Sequence, residues 1–347
     1  MTRVWIIPVH DSTRVRDVRV ATEEASARAR LDAQRTAIAA LVATELATNL
    51  LKHAGGGRLL IDLVDRGADA RGPSVQLVAL DHGPGIRDVS AAMRDGYTTS
   101  EASLGAGLGS CLRISSAFDL YSTPRGTVAV ARIDQIAGQE ETRSTFSAGG
   151  INISLAQADL SGDSWSCARS GSRSTLMLAD GLGHGAKAAH ASSAAVDELH
   201  RVAHLPSAEI LRHLHLALRP TRGAAVAVAQ LDSGTGELAF AGVGNIGARL
   251  HTAGSWQHLV SHPGIVGAHY PATVPVRRLP WRPGNLLVLH SDGLPSRWVP
   301  PADDDLLAHD PAAIAATILR DASSAASPVR DDTCVAVLTS DRQAARP

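Results

Sequence analysis

Short apolar stretches broken by polar turns run through the chain, and their spacing predicts most of its elements. In the first half, VWIIPV (4–9), RLLIDLV (58–64), SVQLVAL (74–80) and GTVAVARI (126–133) read as strands. Residues 21–54 carry helical patterns that end at the glycine run Gly55–Gly57, a helix stop. A glycine-rich loop before residue 111 leads into a helix expected over Cys111–Phe118. Residues 135–148 are polar and weakly periodic, so the domain boundary is placed there. In the second half, strands are expected over 174–180, 224–232, 237–244, 248–254, 285–292 and 333–340, with helices near 185–204, 207–218 and 311–322. Many short strands with interspersed helices imply an α+β sandwich.

Composition narrows the class. The chain has 347 residues, with 44% hydrophobic and 19% charged, so a sizeable core forms and global disorder is excluded. Aromatics are only 3%, which leaves Ala, Val, Leu and Ile to fill that core. Lys plus Arg number 33 against 34 Asp plus Glu, a balance that argues against a nucleic-acid or anionic-membrane partner. Cys111, Cys167 and Cys334 are scattered without CxxC spacing, so neither a disulfide framework nor a zinc knuckle is implied and a cytoplasmic setting is expected. The apolar run at the start is too short for a signal-peptide core, and no stretch approaches the roughly 18 apolar residues of a membrane span.

Three features of the first half carry chemistry. Glu45 and Asn49 lie four apart in a helix and share a face, with Lys52 and His53 following. A carboxylate beside an amide oxygen suits magnesium, although an ordinary solvated helix face has the same spacing. Asp81-His-Gly-Pro-Gly-Ile86 follows a strand, where the carboxylate can accept from an exocyclic amine or simply cap a tight turn. Leu104-Gly-Ala-Gly-Leu-Gly-Ser110 places glycines before a helix, presenting N–H groups to phosphate, yet it is neither a P-loop nor a Rossmann fingerprint.

In that order, the trio resembles the GHKL ATPase fold, in particular serine kinases of the RsbT and SpoIIAB kind. The likeness runs through DHGPGIRDVSAAMRDGYTTSEASLGAGLGS and GTVAVAR and covers residues 1–134. It implies a Bergerat-type α/β sandwich with Asn49 on Mg2+ and Asp81, Gly83, Gly85 and Thr127 around the ATP adenine. It further implies Gly105, Gly107 and Gly109 in a lid over the phosphates, and Glu45 as the base for a substrate serine. The lid departs from relatives at Ser100-Glu101-Ala102-Ser103, where more glycine is usual. A histidine-kinase version is set aside, since no phosphoacceptor-histidine domain is seen before the ATP domain.

The second half has acidic residues at expected strand ends: Asp163 in SGDSW, Asp180 in LADGLGHG, Asp292 in LHSDG and Asp331-Asp332 in RDDT. Converging carboxylates repel unless cations separate them, and oxygen-only donors favour Mg or Mn over Zn. Each Asp-Gly taken alone also reads as a turn. Together with TRGAAVAVAQLD and FAGVGN, these segments resemble metal-dependent (PPM) phosphatases of the SpoIIE class, closest to the RsbX type, over residues 149–341, with 342–347 as a tail. The resemblance implies a β-sandwich flanked by helices and a binuclear Mn2+ or Mg2+ centre. Asp180 would bridge the ions, with the Gly181 carbonyl, Asp163, Asp292 and Asp331 completing the shell. At the last motif Asp331 is preferred over Asp332.

The other candidates take plainer readings. Cys167 and Cys334 read as small buried residues, and His184 as either a phosphate contact or structural. His251, His258, His262 and His269 are expected in or near loops, and His200, His204, His213 and His215 on helix surfaces. Arg219 and Arg222 either help to bind a phosphate or form a structural ion pair. A kinase-like and a phosphatase module in one chain imply a bifunctional partner-switching regulator of STAS-domain anti-sigma antagonists. The alternative is a phosphatase whose first domain binds a sigma factor or STAS protein in an ATP-dependent way, without catalysis.

Overall fold

The computed structural model describes residues 3–64, 72–93, 107–136, 146–155, 158, 160–295, 297–323 and 331–340. Gly105, residues 100–103, most of the stretch read as a linker, and the tail lie outside the described residues. The chain divides into two units, one holding Trp5–Val64 with residues 72–136, the other holding the elements from residue 146 onward.

The first unit begins with β1 (Trp5–Val9), α1 (Ser12–Arg28) and α2 (Ala33–Ala54). The predicted helical stretch is thus two helices. Asp11 caps the first by accepting from Thr13 N and Arg14 N, and Asp32 caps the second by accepting from Arg35 N. Between them Arg30 turns through a φ of 57°, and Gly55 ends α2 at a φ of 71°. Then follow β2 (Gly57–Val64), β3 (Ser74–Leu80), α3 (Val89–Ala92), α4 (Gly107–Ile114), β4 (Ala117–Thr123) and β5 (Gly126–Ile133). The strands make one antiparallel sheet in the order β1-β2-β3-β5-β4. Leu59, Ile61, Leu77, Ala129 and Ala131 on one face pack under Val18, Ala25, Val42, Ala43 and Leu46 of α1 and α2. Small alanines let those helices lie close to the sheet, which compensates for the scarcity of aromatics.

One expectation is corrected here. The helix expected to reach Phe118 ends at Ile114, because Ser116 N is drawn to Arg132 O and Ala117–Thr123 pairs with β5 as a strand. Cross-strand pairing overrides local propensity over these residues.

The second unit comprises β6 (Phe146–Ile153), β7 (Asp163–Ser170), β8 (Arg173–Gly181), α5 (Ala186–Val202), α6 (Ser207–Leu218), β9 (Ala224–Asp232) and β10 (Glu237–Val243). It continues with β11 (Gly247–Thr252), β12 (Ser255–Leu259), β13 (Arg277–Pro280), β14 (Leu286–His290), α7 (Pro311–Ala322) and β15 (Thr333–Ser340). Two five-stranded sheets form, ordered β13-β10-β9-β8-β7 and β12-β11-β14-β15-β6. Between them lies a core of Leu176, Leu178, Phe240, Leu250, Leu287 and Leu338. Met177, Val226 and Val228 on the outer face of the first sheet bury against Leu199, Leu211 and Leu214 of α5 and α6. Helix α7 covers β6 and β15. Coverage on both faces explains why β8 and β9 read as unbroken apolar runs rather than alternating ones.

Strand β6 begins inside the stretch read as polar linker, paired along its length with β15. His251 and His258 lie on β11 and β12 rather than in loops. His215 is half-buried, its ring 4.8 Å from Tyr270, so it is not a plain surface residue. Burial holds its pKa below the usual histidine value, with the Arg219 charge adding to the effect.

Candidate functional site

The first unit contains a cavity of about 370 Å³ lined by Glu45, Asn49, Lys52, Asp81, Gly85, Gly107 and Thr127 among others. Glu45 and Asn49 reach it together because they are one helical turn apart on α2. A Cβ at Gly107 would stand 3.2 Å from Glu45 Oε2 and 3.9 Å from both side-chain termini of Asn49, so glycine leaves the two groups room. Asn49 Nδ2 is buried with no hydrogen-bond partner among the described residues. An orphaned amide beside a carboxylate, at the start of a helix, fits a ligand carrying phosphate and a hard cation.

Asp81 sits at the other end, buried just past β3. Its Oδ1 accepts from Gly83 N at 2.8 Å and Thr127 N at 3.1 Å, while its second oxygen makes no hydrogen bond among the described residues. The glycines close this end tightly. Gly85 has a φ of 75° and a Cβ there would collide with the Thr123 carbonyl; a Cβ at Gly83 would come within 2.8 Å of Ala54. Gly107 and Gly109 belong to the first turn of α4 rather than to a loop; Gly107 lines the cavity and Gly109 is buried behind it. Cys111, on the same helix, has its thiol pushed up to about 12 by burial and then by the Glu45 charge.

In the second unit, a cavity of about 220 Å³ is lined by Asp180, Gly183, His184, Asn245, Asp292, Asp331 and Asp332. Asp180, next to last in β8, pairs across the ladder with Asp163, which opens β7 and is 1% exposed. Asp163 lies behind the cavity wall, and its backbone N–H donates to Ser161 Oγ at 3.1 Å. Burial raises Asp180 to about 7, with the Asp292 and Asp331 charges next in effect. Burial also raises Asp163 well above the carboxylate range, followed by the charge of Asp180, and raises Asp292, followed by that of Asp331.

Among the described residues, no three His, Cys, Asp or Glu side chains draw in closely enough to hold a metal ion as they stand. The chemistry of the set nonetheless fits one. Every donor is oxygen, burial and neighbouring charges raise Asp163, Asp180 and Asp292, and Asp163 Oδ2 is buried with no hydrogen-bond partner among the described residues. The adjacent aspartates of the last motif differ. Asp332 is buried and spends both oxygens on backbone, accepting from Leu155 N and Gly162 N at 2.6 Å each. Asp331 is exposed at the cavity and, among the described residues, accepts only from the next amide, Asp332 N, at 2.8 Å. Its remaining oxygen is available to a ligand.

Two residues given no role from the sequence support this site. Asn245 donates from Nδ2 to Asp292 Oδ2 at 2.7 Å. Ser291 Oγ accepts from Cys334 N at 2.9 Å while Ser291 N donates to Cys334 O at 3.0 Å, tying the end of β14 to the start of β15. The only signal for either was its place inside FAGVGN and HSDG. His184 is exposed on the rim, and Gly181 N donates to Gly162 O at 3.0 Å. Cys167 and Cys334 are buried.

Residues 9–133 match the model of the histidine kinase-like ATPase domain, and residues 170–341 that of Stage II sporulation protein E. Over 79 residues the chain is 40% identical to the serine/threonine-protein kinase RsbT of Bacillus subtilis (strain 168), a match covering 23% of this chain and 56% of that relative. The chain thus spans about half the length of the curated relative it matches. Among solved structures, a chain from "The bacterial stressosome: a modular system that has been adapted to control secondary messenger signaling" is similar, with 26% identity and a TM-score of 0.50. That likeness covers 56% of this chain and 99% of the other. RsbX in complex with magnesium has 20% identity and a TM-score of 0.49, covering 58% of this chain and 99% of that one. The chain therefore carries a histidine kinase-like ATPase domain followed by a SpoIIE domain.

Proposed function

We propose that this chain is a partner-switching regulator with two opposed activities. The second unit is a Mn2+- or Mg2+-dependent protein serine/threonine phosphatase. The first is an ATP-dependent protein serine kinase. Both act on STAS-domain antagonists of anti-sigma factors, with a sigma factor or related regulator as a further partner. The observation that carries the reading is the gathering of acidic residues from separate strand ends, with Asp180, Asp292 and Asp331 lining one small cavity and Asp163 paired with Asp180 behind it.

In the phosphatase, Asp180, Asp292, Asp331, Asp163 and the Gly181 carbonyl are the groups that would hold the ions. When bound, a pair of divalent cations supplies a hydroxide from water and screens the phosphoryl oxygens. Asn245 fixes the rotamer of Asp292, and Ser291 ties the end of β14, beside Asp292, to the start of β15. Asp332 pins the Leu155 and Gly162 segments behind the cavity. With no side chain needed as nucleophile, the buried cysteines have no catalytic part.

In the kinase, the free oxygen of Asp81 accepts from the adenine amine, and Asn49 would hold Mg2+. Glu45 takes the proton of the substrate hydroxyl as the γ-phosphoryl transfers; positioning and charge neutralisation supply most of the catalysis. The test is to incubate the full chain with Mn2+, γ-labelled ATP and STAS proteins, beside Glu45→Ala and Asp180→Ala. Label that accumulates with Asp180→Ala and disappears with Glu45→Ala supports both activities. A wild-type and Asp180→Ala pair that never transfers label, yet captures its partner only with ATP, would reduce the first unit to a non-catalytic binder.

A further inference from the structure

We infer that Arg222 is the substrate-binding residue that receives the phosphoryl oxygens of a phosphoserine or phosphothreonine peptide at the rim of the carboxylate cavity. The assignment rests on the proposed phosphatase reading of that cavity and adds a cationic side chain to it.

The placement follows from the β8–β9 ladder. Its last pairs are Asp180 with Ala225 and Gly181 with Ala224. The two chains stay together one step further, where Leu182 N donates to Gly223 O at 3.0 Å. Arg222 therefore comes to lie opposite Gly183, which lines the cavity beside His184. Gly183 has a φ of 85° and no side chain; a Cβ there would stand 2.9 Å from Arg222 Nη1. The guanidinium thus occupies the room that this glycine leaves at the rim.

Arg222 is exposed and makes no hydrogen bond or ion pair among the described residues. The ion-pair reading of this arginine therefore has no partner to rest on, even with Asp180, Asp292, Asp331 and Asp332 lining the neighbouring cavity. Those carboxylates repel a phosphomonoester dianion, and cations they bind are largely neutralised by them. A guanidinium at the mouth offers two parallel N–H donors matched to two phosphoryl oxygens, which a lysine ammonium does not. Arg219 does not share this position, since it caps the end of α6.

The test uses the full chain loaded with Mn2+, comparing wild type with Arg222→Ala, Arg222→Lys and Arg219→Ala. KM and kcat are measured on a phosphoserine peptide and on p-nitrophenyl phosphate, phosphate binding by equilibrium dialysis of labelled inorganic phosphate, and Mn2+ affinity by electron paramagnetic resonance. Arg222→Ala should raise KM about tenfold with kcat little changed, and weaken inorganic phosphate about tenfold, because uniform binding is what it loses. Arg222→Lys should recover part of both, and Arg219→Ala neither. Unchanged KM and phosphate binding would overturn the assignment. So would a loss of phosphate binding matched by an equal loss of Mn2+ affinity, since Arg222 would then only brace the Leu182–Gly183 segment. A wild type that binds phosphate through Arg222 but hydrolyses no phosphoester would sink the phosphatase reading and leave this assignment standing. A wild type that does neither would sink both.

Discussion

Replacing Asp332 by alanine separates its part from that of its neighbour. Both oxygens of Asp332 accept 2.6 Å hydrogen bonds from backbone, and the residue is 5% exposed. A hydrogen bond to a charged group contributes roughly 1.5–3 kcal/mol, so stranding the Leu155 and Gly162 amides costs about 3–6 kcal/mol. Removing one negative charge near Asp163 and Asp180 returns part of that, leaving about 3 kcal/mol as the expected net loss. Set against a total stability on the order of 5–15 kcal/mol, such a loss is large. Asp331→Ala, at an exposed position, should stay within about 1 kcal/mol of wild type while losing Mn2+ affinity. Urea unfolding followed by tryptophan fluorescence reads the first effect, since Trp165, Trp256, Trp281 and Trp298 all lie in the second unit. Spin-resonance titration with Mn2+ reads the second. An Asp332→Ala protein as stable as wild type, or an Asp331→Ala protein equally destabilised, would refute the division of labour.

Further outcomes follow from the same geometry. Asp180 stands at about 7 in the fold against 3.8 as a free side chain, so between those values the folded state binds more protons than the unfolded. The contribution of Asp180 to metal-free stability should therefore be full below about pH 4, fall as pH rises toward about 7, and recover when Mn2+ replaces the protons. Calorimetry in EDTA that shows a flat or rising transition temperature over this range would contradict the charge cluster. Gly85→Ala forces a side chain onto a φ of 75° and into the Thr123 carbonyl; it should destabilise the first unit by about 2 kcal/mol or more and abolish binding of a fluorescent ATP analogue. Cys111, buried and with its thiol at about 12, should resist Ellman's reagent in the native protein at pH 8 and react once unfolded. Rapid native labelling at Cys111 would show the Glu45 side of the pocket to be open.

Elements with their own strong pattern were legible at residue level. Strands Ser74–Leu80, Gly126–Ile133 and Ala224–Asp232, and helices Ser207–Leu218 and Pro311–Ala322, occupy the predicted residues, because long apolar runs and clear caps act locally. Those that depend on pairing with another strand were missed. Ala117–Thr123 is a strand only because β5 lies alongside, and Phe146–Ile153 only because β15 does. Among the described residues no helix is long and apolar enough to cross a membrane.

The candidate sites divide in the same way. Chain order alone placed Glu45 and Asn49 on one helical face, set Asp81 at the end of a strand, and marked Asp163, Asp180, Asp292 and the aspartate pair as acidic positions beside glycine or strand ends. These are relations a few residues long, decided by helical and strand periodicity. Which of Asp331 and Asp332 faces the cavity, the tie of Ser291 to Cys334, the grip of Asn245 on Asp292 and the seat of Arg222 over Gly183 were decided by tertiary structure. Each depends on residues distant in sequence meeting where strand ends converge, and no local spacing encodes which side chain spends its oxygens on backbone and which keeps them for a ligand.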